Sequence, residues 1–172
     1  MKITVHAMAV GSFVPMLESL SRILDKAKAE AAAKDLPSQR LAPDMYTLAQ
    51  QVRLACDHAR TGTARLLGRD PAKPLDDDET IDGLQARIAG TVDWLKKVSP
   101  EGFDGAEERD CSMPLPGGKR IEMNGQQFLV AWALPHFYFH LVTAYDILRH
   151  EGVPIGKQDY LSQVGAFIRP TG

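Results

Sequence analysis

The stretch from Phe128 to Tyr145 reads FLVAWALPHFYFHLVTAY and contains no Asp, Glu, Lys or Arg. Its length reaches the lower limit of a transmembrane helix. It also carries a proline, two histidines and two tyrosines, and the mean hydropathy of the whole chain is only -0.20. We therefore predict no membrane span, but a helix that is buried on most of its circumference at the centre of a helical bundle.

This central helix is predicted over residues 126–150. Arg149 and His150 place basic side chains in its last turn, and Gly152 follows as a stop signal. Pro135 cannot donate a hydrogen bond to the carbonyl of Ala131, so the helix is expected to kink or break there.

Three earlier segments have apolar residues at steps of three and four, which predicts amphipathic helices over 4–34, 42–67 and 80–98. Gly11 and Pro15 leave open whether the first begins near Thr4 with a bend or only near Ser12. Pro43 suits the first turn of the second helix. The acidic run 76–79 is expected to cap the third rather than to bind a cation, because the spacing of a metal-binding loop is absent.

A turn sequence, Leu115-Pro116-Gly117-Gly118, separates two short runs of partly alternating character. It predicts a small β-hairpin within 109–123. Residues 153–172 are expected to form a tail with at most a short helical turn. The prediction is an all-α, antiparallel four-helix bundle with a β-hairpin between helices 3 and 4, in a single domain over residues 1–172.

Composition excludes several classes of function. The chain has 172 residues, 20 Lys+Arg and 22 Asp+Glu, and its formal net charge of -2 predicts no nucleic-acid partner. A hydrophobic fraction of 44% and a charged fraction of 24% are typical of a globular protein. No glycine-rich phosphate loop is present, so we expect no nucleotide cofactor. Two widely spaced cysteines and an N-terminus unlike a signal peptide predict reduced thiols and a cytoplasmic location.

His136 and His140 are the most informative polar residues in the charge-free stretch. A spacing of four places both imidazoles on one side of a helix, where they can reach one cation. His58 of the second helix is the third candidate, although it lies about 110° from the centre of the apolar stripe of that helix. Three neutral imidazoles and one open position describe a catalytic zinc site or a similar centre, whose affinity should fall below about pH 6.5. Alternatively, His136 and His140 are core histidines bonded to carbonyls or hydroxyls, and His58 is a polar residue at the edge of its helix.

Two neighbours of His58 are weaker candidates. Cys56 would have to pair with His58 as a nucleophile, but a spacing of two puts the residues on different sides of the helix. Asp57 either orients a ligand histidine or is solvated. Aromatic residues around the histidine pair are expected to serve core and interface packing.

Several segments together are similar to a known family. They are Arg40-Leu41-Ala42-Pro43-Asp44-Met45, Gln51-Val52, Asp57-His58-Ala59, Leu115-Pro116-Gly117-Gly118 and PHFYFHLVTAYDILRHEGVPIGKQDY from Pro135 to Tyr160. The chain resembles the branch called domain of unknown function nineteen-ninety-three of the DinB/YfiT-like superfamily. The resemblance covers nearly the whole chain and implies a four-helix bundle that is often a homodimer.

The resemblance also implies a site. In the wider superfamily a histidine of the second helix and an HxxxH pair of the fourth bind a divalent metal, and some members transfer small thiols. His58, His136 and His140 match that pattern, which implies a zinc or nickel ion and a small-molecule substrate. Two functions remain: a metal-dependent enzyme, and a non-catalytic bundle that dimerises or holds a small apolar ligand.

Overall fold

The computed structural model describes residues 3–30, 35–70 and 80–169. Its α-helices are α1 (Val5–Glu30), α2 (Leu48–Leu66), α3 (Ile81–Lys96), α4 (Gly125–Phe128), α5 (Leu134–His150) and α6 (Lys157–Tyr160). Strands β1 (Met113–Leu115) and β2 (Lys119–Ile121) pair antiparallel. The predicted fold class, a helical bundle with one small hairpin, is confirmed.

Helix α1 begins at the first of the two predicted starts. The hydroxyl of Thr4 accepts a hydrogen bond from the backbone N–H of Ala7, and the helix continues through Pro15. Its predicted last residues, 31–34, lie outside the described part of the chain.

Helix α2 begins six residues later than predicted, at Leu48. Thr47 caps it, because its side chain accepts from the Gln50 N–H while the Gln50 side chain accepts from the Thr47 N–H. This reciprocal pair satisfies backbone donors that a start near Pro43 would leave without a capping side chain. Residues 42–45 instead form a turn.

Helix α3 is capped by Thr80, whose hydroxyl accepts from the Gly83 N–H. The acidic run 76–79, which was predicted to cap this helix, lies outside the described residues. The hairpin follows the prediction: Met113 faces Ile121 across the two strands, and Gly117 takes a φ of 76° in the turn between them.

The fourth long helix, residues 125–150, consists of α4, a π-helical turn at Leu129–Ala133 and α5. The backbone N–H of Leu134 bonds to the carbonyl of Leu129, five residues back. The expected irregularity beside Pro135 is therefore a wider turn within a continuous helix.

This helix is buried on most of its circumference, as predicted. Phe137 is fully buried and packs edge-on against Phe13 of α1, with ring centroids 4.8 Å apart. One face is exposed, however, along Val130, Ala131, Pro135, Phe139 and Val142. The charge-free stretch therefore has one solvent-facing apolar side.

Contacts between side chains give the helix directions. Lys96 pairs with Glu18 at 2.7 Å and Lys28 pairs with Asp82, so α1 and α3 run antiparallel. Helices α2 and α5 are antiparallel as well, since Gln51 meets His140 whereas Gly62, later in α2, meets Ala133, just before α5.

Helices α2 and α3 run in the same direction. After α3 ends, Gly102 lies against Leu67, and the Arg109 guanidinium donates to the carbonyl of Leu66. The C-terminal ends of both helices therefore lie at the same end of the bundle. The prediction of an antiparallel bundle did not include this parallel pair.

The chain after α5 is more ordered than the predicted tail. Helix α6 and a 3-10 segment, Ser162–Phe167, lie against α1. The hydroxyl of the fully buried Ser19 lies 2.8 Å from that of Ser162, and Lys26 forms an ion pair with Asp159. These polar contacts hold the segment in place.

Helix α1 is long and apolar enough, over Val5–Ala29, to meet the length and hydropathy of a membrane span, but half of its most apolar window is buried in the bundle. One such helix is weak evidence for a membrane protein, because core helices meet the same test. The buried apolar side chains of α1, α2, α3 and α5 belong to one cluster.

The packing at the start of the fourth long helix can be tested by a substitution at Gly125. A Cβ at this position would lie 1.8 Å from the carbonyl oxygen of Ala106, a backbone atom that cannot move aside freely. We expect Gly125→Ala to lower the free energy of unfolding by about 3 kcal/mol or more, measured by urea denaturation.

The matched control is Gly90→Ala in the exposed part of α3, where a Cβ would meet nothing within 4 Å. There alanine should stabilise the protein by about 1 kcal/mol through its helix propensity. Equal effects of the two substitutions would contradict the packing described here.

Candidate functional site

The face of α2 that meets the fourth long helix is small and polar. Gln51, His58 and Gly62 lie on it at steps of seven and four residues, and a Cβ on Gly62 would be 3.2 Å from that of Ala133. Two helices can approach closely where no large side chain separates them. His58 therefore points into this contact, and its angle from the apolar stripe was misleading because that stripe describes other faces of α2.

The structure brings the three predicted histidines together. The ring centroid of His58 lies 4.9 Å from that of His136 and 5.2 Å from that of His140. His58 is half-buried and stacks on His140 with an angle of 10° between the ring planes. We call these residues the histidine cluster.

The ring of His136 is held by the helix in which it lies. Its Nδ1 lies 2.8 Å from the carbonyl oxygen of Trp132, in the π-helical turn. A carbonyl can only accept, so Nδ1 carries the proton and Nε2 keeps a free lone pair. The Trp132 ring lies beside the imidazole, with centroids 4.3 Å apart.

His140 is held from the neighbouring helix. Its Nδ1 lies 2.7 Å from Oε1 of Gln51, which is itself almost completely buried. With the amide oxygen as acceptor, His140 also donates from Nδ1 and leaves Nε2 free. Phe139 and Tyr46 surround the ring, with centroids 5.3 Å and 6.4 Å away.

Burial keeps two of these imidazoles neutral. Desolvation, followed by the effects of the nearby His140 and His136, lowers the pKa of His58 from 6.5 to about 4. Desolvation, followed by the effect of His136, likewise lowers the pKa of His140 to about 4. Proton competition at these two residues is therefore expected near pH 4, not near the 6.5 that the sequence suggested.

The donor atoms do not yet surround a common point. Among residues 3–30, 35–70 and 80–169, no group of three or more His, Cys, Asp or Glu side chains is arranged to hold a metal ion. The cluster fits a divalent ion in residue type, because neutral imidazoles are common ligands of zinc and nickel.

Two other predicted candidates lie away from the cluster. Cys56 is fully buried in the hydrophobic core, as is Cys111, and neither forms a disulfide. The carboxylate of Asp57 lies 3.6 Å from the guanidinium of Arg87 in α3. Gln51 is the residue of α2 whose side chain lies within hydrogen-bond distance of a ring in the cluster.

Gln51 and Trp132 are the residues of the site that sequence reasoning missed. Gln51 lies two helical turns before His58, which places both on one face of α2. This spacing is a signal in the sequence from which Gln51 could have been predicted as a neighbour of His58. The backbone carbonyl of Trp132 carries no sequence signal, because its role depends on the π-helical turn.

A family model for a domain of unknown function, DUF1993, matches residues 5–161. The chain belongs to the DUF1993 family. Among solved structures, a DinB family member protein from Shewanella denitrificans is similar to it, with a TM-score of 0.84 and 37% sequence identity over 91% of both chains. No curated protein is significantly similar.

The DinB-like DUF1993 assignment confirms the resemblance drawn from the sequence motifs. The DUF1993 match extends from the start of α1 to the segment that packs on it after α5, so it includes all three histidines. Neither the family description nor the structural relative names a reaction.

The lowered pKa values predict how stability depends on pH in the protein without metal. The unfolded chain binds protons on these histidines near pH 6.5, whereas the folded chain binds them near 4. Between those values the unfolded state holds more protons, so the free energy of unfolding should fall as the pH is lowered. Each group contributes a slope of up to about 1.4 kcal/mol per pH unit.

Urea denaturation of metal-free protein between pH 7 and pH 4 measures this slope. His140→Gln should reduce it, because one of the two groups is removed while a hydrogen bond to Gln51 can still form. His150→Gln, at an exposed position, is the control and should leave the slope unchanged. A slope that is the same in all three proteins would contradict the assignment.

Proposed function

We propose that His58, His136 and His140 bind one divalent metal ion, zinc or nickel, and that the protein is a metal-dependent enzyme acting on a small molecule. The observation that supports this most strongly is the joint arrangement of the three imidazoles. They come from two helices, their rings lie within about 5 Å of His58, and two of them are anchored through Nδ1.

The anchoring matters because metal-binding histidines usually donate their other ring nitrogen to an oxygen acceptor. Such a bond fixes the tautomer and raises the basicity of the ligand nitrogen. Here the carbonyl of Trp132 and the amide of Gln51 serve as those acceptors. The lowered pKa values of His58 and His140 also reduce the proton competition that weakens metal binding at pH 7.

A divalent ion with three imidazole ligands and an open position supplies Lewis acidity, which activates a water or a thiol. The residues around the histidines position the ligand rings and shield them. Gln51 and the Trp132 carbonyl hold the ligand rings, and Phe139 and Trp132 limit the access of water to them. Thiol transfer or hydrolysis of a small molecule is the class of reaction that we propose, in a cytoplasmic protein.

A second candidate function is supported by a specific observation. His58 stacks directly on His140, and each of the other two rings already has a hydrogen-bond partner. This is also how structural histidines pack in a core. A non-catalytic bundle, dimeric or binding a small apolar ligand, is therefore the alternative.

We further propose that the chain forms a homodimer through the exposed apolar face of the fourth long helix. Phe139 is 59% exposed and Val130 51%, and both lie on the face that also includes Pro135 and Val142. Apolar patches of this kind often mark protein interfaces. A second copy of the chain would cover the face.

Metal binding gives the direct test of the first proposal. Protein purified without an affinity tag and stripped with a chelator should melt at a higher temperature when zinc or nickel is added, because the ion binds only the folded state. An ion at 100 times its Kd stabilises by about 2.7 kcal/mol, which corresponds to a rise of roughly 5–10 °C.

His140→Ala should abolish that rise, whereas His150→Ala, an equally conservative loss of a histidine outside the cluster, should keep it. Metal analysis should give one ion per chain. If the unsubstituted protein shows no rise, or if His140→Ala shows the same rise, the histidine cluster is not a metal site and the structural alternative applies.

Sedimentation velocity tests the dimer. The protein should sediment as a dimer at micromolar concentration, and Val142→Glu should shift it to monomer by placing a charge in the interface. Ala89→Glu adds the same charge to an exposed position of α3, away from the fourth long helix, and should not. A monomer without any substitution would refute this proposal.

A further inference from the structure

A cleft of about 190 Å³ opens beside the histidine cluster, between α2 and the fourth long helix. His58 lines it, together with Trp132, whose ring contacts that of His136. The residues that line the cleft are His58, Thr61, Gly62, Arg65, Met113, Phe128, Trp132 and Ala133.

Arg65 places a positive charge at the far side of this cleft. It lies seven residues after His58, so the two share a face of α2 and are about 10 Å apart along the helix axis. Within the described residues, the guanidinium of the partly buried Arg65 forms no hydrogen bond or ion pair. An arginine held in a cleft without an anionic partner is suited to bind one from solution.

The rest of the wall is mainly apolar. Phe128, Met113 and Ala133 contribute hydrocarbon or sulfur surface, and Trp132 contributes an aromatic ring. Gly62 lets the two helices approach closely. The Thr61 hydroxyl adds one polar group. A ligand with an apolar body therefore fits this wall better than a sugar or another polyhydroxylated compound.

Arg65 is the one arginine or lysine that lines the cleft among the residues that the structure describes. One guanidinium matches one carboxylate, which it can bind through two parallel hydrogen bonds. A doubly charged phosphate would leave part of its charge uncompensated here. The size of the cleft limits the ligand as well, since a cavity of about 150 Å³ holds one benzene ring.

We propose that this cleft binds a small organic carboxylate, with its acid group on Arg65, its apolar body against Trp132 and its other end toward the histidine cluster. That such a ligand is the substrate rests on the proposed function. Its binding to the cleft does not, because Arg65 and Trp132 act without a metal ion.

Ligand binding can be measured through the fluorescence of Trp132. The chain has two tryptophans, and Trp94 lies against Arg60, away from the lining of the cleft. In a Trp94→Phe background, emission reports on Trp132 alone. Metal-free protein titrated with 3-phenylpropanoate should show a saturable change in emission. The neutral 3-phenylpropanamide should bind at least tenfold more weakly.

Arg65→Gln in the same background should lower the affinity for the carboxylate at least tenfold and remove the preference for the carboxylate over the amide. Arg65→Lys should retain part of that preference. Arg69→Gln is the matched control, because it removes the same charge from an exposed arginine nearby and should have no effect. Arg65 also lies in the last turn of α2. If that structural role were its only one, Arg65→Gln would lower the free energy of unfolding without changing ligand preference.

The proposal is overturned if the carboxylate causes no saturable change, if the amide binds equally well, or if Arg65→Gln binds like the unsubstituted protein. The first two outcomes are measured without any Arg65 variant, so they do not depend on whether such a variant folds. Quenching of Trp132 by nickel, and its loss in His140→Ala, tests the metal site in the same protein. Carboxylate binding without nickel quenching would refute the proposed function alone, and quenching without carboxylate binding would refute the cleft alone.

Discussion

The hydrogen bond from His140 to Gln51 is the contact on which the candidate site depends. It is buried, it spans two helices, and it requires α2 and α5 to lie at one register, because the nitrogen and oxygen are 2.7 Å apart. A buried polar group without a partner costs about 1–3 kcal/mol, so other registers of this pair are disfavoured. The small face around Gly62 lets the helices reach that separation.

The π-helical turn supplies the second condition. Pro135 cannot donate a backbone hydrogen bond, and in the turn before it the hydrogen bond reaches back five residues instead of four. The carbonyl of Trp132 then bonds to the ring of His136. A feature that disturbs the helix thus fixes one of the three rings and places the Trp132 side chain beside it.

Much of this arrangement could be predicted from the sequence, for identifiable reasons. Apolar residues at helical spacing gave the four long helices, and Pro116 with two glycines gave the hairpin turn. The spacing of His136 and His140 gave their common side. These are local signals, and each depends on few residues.

The parts that were missed depend on contacts between distant segments. Helix α2 starts at Leu48 because of reciprocal bonding between Thr47 and Gln50, which competed with an equally good proline signal at Pro43. The orientation of His58 was misjudged because the contact with α5 is made by small and polar residues, which an apolar stripe does not register. The parallel direction of α2 and α3 cannot be deduced from the pattern of either helix.

The central claim is that His136 and His140 both carry their proton on Nδ1 and present Nε2 as a lone pair. Two-bond ¹H–¹⁵N correlation spectra of the imidazoles in the metal-free protein at pH 7 test it most directly. The account predicts a pyrrole-like Nδ1 and a pyridine-like Nε2 for both residues, with the Nε2 resonance of each moving when zinc is added. The Nε2–H tautomer at either residue, or Nε2 resonances that zinc leaves unchanged, would contradict it.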